Sequence, residues 1–208
     1  MLFEARLARE AAAAAAIARA AADLEACLRE TLHGRGRMVF VVASDPSTRD
    51  QLHALVLRQA ATASLLSSKA RFAAGGRAYD GWRTLLRQLL SEPDLVADRR
   101  TRDLGRQALQ ILPADALREQ RDVGEFAVFD AVGSFLGYTI QSRAVLLWLE
   151  EINGADLPSL RLLHFVARSL HRSPLLIVAC HDGLVDPQTP PGSYLTGELA
   201  RESRRIFL

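Results

Sequence analysis

Apolar runs of strand length recur along the chain, separated by stretches whose apolar residues fall at helical spacing. Residues 38–42 (MVFVV), 144–149 (AVLLWL) and 175–179 (LLIVA) are uncharged throughout. Residues 205–208 begin a fourth run, and residues 70–74 form a further short strand. Between them, residues 51–66 place Leu52, Leu55, Val56, Ala60 and Ala63 on one helical face. Residues 82–90 repeat the pattern, and residues 126–138 turn Phe126, Phe129, Val132 and Phe135 inward. Asp156-Leu-Pro158 opens another helix, which runs to about His171, with proline in the first turn where its missing N–H does no harm. Residues 1–33 are rich in alanine, leucine, arginine and glutamate, a helical lead-in that stops at His33-Gly34-Arg35-Gly36. A strand that is apolar at consecutive positions is buried on both faces. The expected architecture is therefore α/β, a mostly parallel sheet flanked by helices.

Composition narrows the options. A length of 208 residues suits a single domain, 1–208, with the lead-in at 1–33 and the sheet core at 38–208. The chain is 49% hydrophobic with a formal charge of +2, too small to argue for a nucleic-acid or membrane partner. No uncharged run approaches the ~18 residues of a transmembrane span, and Glu4 and Glu10 precede an alanine run too weakly apolar for a secretory leader. Cys27 and Cys180 have neither metal nor disulfide-framework spacing, and a reducing cytoplasm is the expected location. Arg99, Arg100, Arg102 and Arg106 fall within a charged stretch, 91–123, read as a solvated helix face or linker. Pro187, Pro190 and Pro191 mark a surface loop.

Ligands of such sheets bind beyond the carboxyl ends of the strands. Residues 43–50 follow the first run, Glu150 and Glu151 the second, His181 and Asp182 the third. Paired acids after an apolar strand suit metal-assisted phosphate chemistry, one holding Mg²⁺ and the next polarising water. His53, His164 and His171 lie on helices without ligand spacing, so no metal site is expected. Trp82 and Trp148 are expected in the core.

The segment 143–170, RAVLLWLEEINGADLPSLRLLHFVARSL, resembles the Walker B strand and following helix of AAA/STAND-type P-loop ATPase domains of large bacterial regulators, such as LuxR-type transcription factors and adenylate-cyclase-linked proteins. GRGR before the first strand, AYDGWRTLL in the middle and LLIVACHD near the end match the same layout. The resemblance implies a three-layer P-loop NTPase-like core, here without the lid subdomain. It makes Glu150 and Glu151 inherited ATPase acids, and places His181-Asp182 where a phosphate sensor can stand.

The same resemblance sets a register for the loop after the first strand. Against Gly-x-x-x-x-Gly-Lys-Ser/Thr, the eight residues are Ala43, Ser44, Asp45, Pro46, Ser47, Thr48, Arg49 and Asp50. Ala43 and Thr48 replace glycines that turn backbone N–H groups onto phosphates. Arg49 keeps a charge but not the shape of lysine. Asp50 puts a carboxylate where a hydroxyl ligands Mg²⁺. Its repulsion of phosphate is worth ~4 kcal/mol at ~4 Å and an effective dielectric of ~20. ATP and Mg²⁺ are thus expected to bind weakly or not at all. The expected function is a degenerate, pseudo-ATPase module that scaffolds or regulates through a protein partner or self-association. Two alternatives stay open: an unorthodox ATPase using Arg49, Glu150 and Glu151, and a nucleotide-independent binding module.

Overall fold

The computed structural model describes residues 2–112 and 124–208. Helix α1 (Leu2–Leu32) leads into β1 (Arg37–Val42), α2 (Pro46–Thr62) and β2 (Leu66–Arg71). Helices α3 (Asp80–Leu89), α4 (Pro93–Ala97), α5 (Arg99–Ile111) and α6 (Glu125–Ser142) follow. Then come β3 (Val145–Glu150), a 3-10 turn (Ile152–Gly154), α7 (Leu157–Ser169), β4 (Leu175–His181), α8 (Pro190–Tyr194), a π-helical turn (Leu195–Leu199) and β5 (Arg204–Phe207).

The five strands form one sheet in the order β2-β3-β4-β1-β5, and every pairing is parallel. All carboxyl ends therefore meet along one edge. Alternation along the strands divides the core. Phe40, Leu147, Leu149, Ile177 and Ala179 face Trp82, Leu86, Phe135 and Leu163 of α3, α6 and α7. Val39, Val41, Trp148, Val178 and Cys180 face Leu24 and Leu28 of α1 and Leu52 and Val56 of α2. This is the three-layer α/β core that the apolar runs imply.

Three local expectations change. The second strand starts at Leu66, not residue 70, because α2 stops at Thr62 and Ser64 turns the chain at φ 56°. Its sequence, LSSKAR, is not apolar, so the run does not stand out; neighbouring groups bond its polar residues instead. Ser68 Oγ donates to Leu85 O and to Gln88 Oε1, both at 3.0 Å. Gln88 Oε1 also accepts the open-edge N–H of Lys69 at 2.8 Å. Phe126 does not face inward: it is 86% exposed, lying about 120° around α6 from Val132. Pro190 and Pro191 begin α8, capped by Thr189, instead of a loop. Within the charged stretch, residues 93–97 and 99–111 are helical, and residues 113–123 lie outside the described residues. Arg99, Arg100 and Arg106 are solvent-exposed on α5.

The turn after β3 packs against the chain leaving β2. A Cβ at Gly154 would lie 2.4 Å from Phe72 O and 2.7 Å from Ala74 N, both backbone atoms that cannot swing aside. Gly154→Ala should therefore destabilise by about 1–3 kcal/mol, as other overpacked sites do. Urea unfolding measures it, and an unchanged midpoint would show that the two loops are free to separate.

Candidate functional site at the carboxyl edge of the sheet

The loop between β1 and α2 spans only residues 43–45, because α2 already begins at Pro46. Thr48, Arg49 and Asp50 thus lie on the first turns of the helix. Among the described residues, none from 43 to 50 has positive φ. Asp45 is the N-cap. Its carboxylate accepts from the backbone N–H groups of Ser47 (3.3 Å) and Thr48 (3.0 Å) and from both hydroxyls at 2.7 Å. These are the donors, at the positive end of the helix dipole, that a bound phosphate would use. Pro46 supplies no N–H at all. Bonds from the Ser47 and Thr48 hydroxyls, reinforced by the backbone, lower the Asp45 pKa from 3.8 to about 2. Arg49 is buried and folds back, donating through Nη1 to Ala43 O at 3.0 Å.

The two acids after β3 are held by cations from β2. Register places Arg71 beside Glu150 and Lys69 beside Trp148. Lys69, the chain's only lysine, reaches Glu150 Oε1 at 2.7 Å and Asp50 Oδ1 on α2 at 3.7 Å. Arg71 grips Glu151 with both arms of its guanidinium, Nε to Oε2 at 2.5 Å and Nη2 to Oε1. Those bonds hold the Glu151 carboxyl below the usual glutamate range. Glu151 adopts φ 52°, an uncommon left-handed conformation for a non-glycine residue.

Around this bridge, His53 of α2 packs on Trp148 with ring centroids 4.8 Å apart. Burial, then the Lys69 charge, lowers the His53 pKa. Trp148 Nε1 is buried without a hydrogen-bond partner, whereas Trp82 Nε1 donates to Ser159 O at 3.1 Å. Cys180 is fully buried and its thiol pKa is pushed up by desolvation.

His181 and Asp182 form a capped turn. His181 Nδ1 accepts from Gly183 N at 3.1 Å, and Asp182 Oδ1 accepts from Leu184 N at 2.8 Å and from Asn153 Nδ2 at 3.2 Å. The His181 ring stands edge-on to Phe40, and burial lowers its pKa. The edge thus brings Asp50, Glu150 and Lys69 into one ion-pair network and Asn153 to Asp182, while Asp45 bonds only its own helix. Among the described residues no group of three His, Cys, Asp or Glu is placed to hold a metal ion, and no helix is long and apolar enough to cross a membrane. Sequence reasoning missed Lys69 and Arg71. Their signal was a basic i, i+2 pair on a strand whose neighbour ends in two acids.

Chains of Drosophila ORC share this fold of a parallel sheet flanked by helices. A chain from ORC bound to AT-rich DNA and Cdc6 matches with TM-score 0.53 and 14% identity, over 96% of this chain and 56% of that chain. One from ORC bound to DNA gives 0.56 and 11%, over 96% and 30%. A third, from ORC bound to GC-rich DNA and Cdc6, gives 0.51 and 11%, over 95% and 57%. The chain therefore spans about a third to just over half of those chains. At such identities the likeness establishes the fold alone. No protein-family model matches the sequence, and no curated protein matches it.

The Asp45 cap makes a pH prediction. Its folded pKa lies below its ordinary value, so the stabilisation is complete above about pH 4 and is lost as pH falls toward 2. Urea midpoints for the wild type should fall more steeply across that window than those of Asp45→Asn. Parallel curves would mean that the carboxylate does not cap the helix.

Proposed function

We propose that this chain is a pseudo-ATPase: a P-loop ATPase core that holds its own charges where nucleotide and metal would bind, and that acts through protein contacts as a scaffold or regulatory module. The observation that carries this reading is the self-neutralised carboxyl edge. Asp45 takes up N–H groups at the start of α2, the Lys69 ammonium lies between Asp50 and Glu150, and Arg71 holds Glu151. An incoming triphosphate would have to displace a carboxylate from the helix terminus. Mg²⁺ would have to displace an ammonium. Glu151 would have to release a guanidinium before it could polarise water, so phosphate positioning and metal binding fail together.

The setting is that of a bacterial regulator in signalling, transcription control or assembly, as the resemblance of residues 143–182 to AAA/STAND-type regulator domains suggests. The similar ORC chains come from complexes with DNA and, in two cases, Cdc6. Assembly with a partner is the corresponding role here.

Isothermal titration with ATP and ADP, with and without Mg²⁺, tests the reading. Binding should be weaker than ~1 mM, equivalent to about −4 kcal/mol, with no measurable hydrolysis. Micromolar affinity would overturn it. Thr48→Gly, Arg49→Lys and Asp50→Thr together rebuild half of a phosphate loop but leave the Asp45 carboxylate over the helix terminus. Adding Asp45→Gly should therefore tighten ATP–Mg²⁺ binding at least tenfold over that triple variant. No gain would locate the block elsewhere than at the cap.

A further inference from the structure

At the opposite end of the strands the chain presents a cavity of about 570 Å³. Arg35 lines it from the segment between α1 and β1, Arg37 from the start of β1, Arg168 from the last turn of α7, and His171 and Arg172 from the turn that follows; among the described residues Glu202 is its one carboxylate. The volume lies within the ~300–1,000 Å³ range of small-molecule sites. Two of the four guanidiniums are engaged. Arg37 is held by Glu30 at 2.8 Å, and Arg168 stands 3.9 Å from Glu202, a long contact. Among the described residues, the guanidiniums of Arg35 and Arg172 have no partner.

Arginines after a helix commonly cap its last carbonyls. Here the carbonyls of Leu170, His171 and Ser173 converge on Gly36, where a Cβ would lie 2.6 Å from Leu170 O. Among the described residues no guanidinium donates to them. The contact instead seats Gly36 tightly on the turn that follows α7. That packing fixes the backbone that carries Arg35 against the turn that carries Arg172, which reduces the backbone ordering needed on binding.

We propose that this cavity binds a small, multiply charged anion bearing a phosphate group, at a site separate from the carboxyl edge. Forked, permanently charged guanidiniums match the oxygens of a phosphate. With Glu30 set against Arg37 and Glu202 against Arg168, the charges of Arg35 and Arg172 remain in excess and make the local field positive, although the whole chain carries only +2. The site is independent of the pseudo-ATPase reading and stands whether or not ATP binds at the other end.

Inorganic pyrophosphate is the probe, titrated calorimetrically at low salt, with citrate as the carboxylate comparison. Arg35→Gln and Arg172→Gln alter exposed side chains and should leave the unfolding midpoint unchanged. Each should weaken pyrophosphate binding about tenfold, the effect of removing one charge-assisted hydrogen bond, and the double variant should abolish it. Asp45→Asn, at the other edge, should bind as the wild type does. The proposal is overturned by absence of saturable binding to the wild type, by undiminished binding in the double variant, or by citrate binding as tightly as pyrophosphate.

Discussion

A strand covered by helices on both faces carries charge economically only where it leaves the sheet. The central strands β1, β3 and β4 obey this closely: from Met38 to Val41, Val145 to Leu149 and Leu175 to Cys180 every residue is buried and none is charged. Because all five strands are parallel, their ionisable residues gather at two rims, and each rim concentrates charge in a small volume. Glu150, Glu151, His181 and Asp182 share one rim; Arg35, Arg37 and Arg172 share the other. What each rim does depends on how its charges are matched, since unmatched charge near a dry core is costly.

At the carboxyl rim the matching is internal. The edge strand β2 carries Lys69 and Arg71 on the face away from α3, and register delivers them to the acids of β3. Lys69–Glu150 is about a third and a fifth exposed at its two side chains, so it is screened less than a surface pair and desolvated less than a core one. A cation supplied by the protein needs no nucleotide to stay in place. Residues of a type that ordinarily serves phosphate chemistry can in this way become structural ion pairs with little change in backbone.

How far sequence foretold this differed between levels. The three central strands were legible because burial on both faces leaves an uninterrupted apolar signature. Strand β2 was not, because an edge strand satisfied by Ser68 and Gln88 has no such signature. Its cations could not be assigned, since the pairing of Arg71 with Glu151 links positions 80 residues apart. The loop after β1 was readable in part. Asp45-Pro46 is a strong helix-start signal, yet the family register drew attention to Arg49 and Asp50, and only the structure places the Asp45 carboxylate on the first N–H groups. Phe126 misled because periodicity tells which residues share a helical face but not where the covering layer ends.

Lys69 has one further consequence. As the chain's only lysine side chain, it holds all of the protein's amine chemistry apart from the N-terminal group. Any acylation or amine-directed cross-link inside the chain falls on the ammonium that joins α2 to β3. Removing that single charge would leave Asp50 and Glu150 facing each other as like charges, so this face of the sheet has one chemical address, and it is a joint.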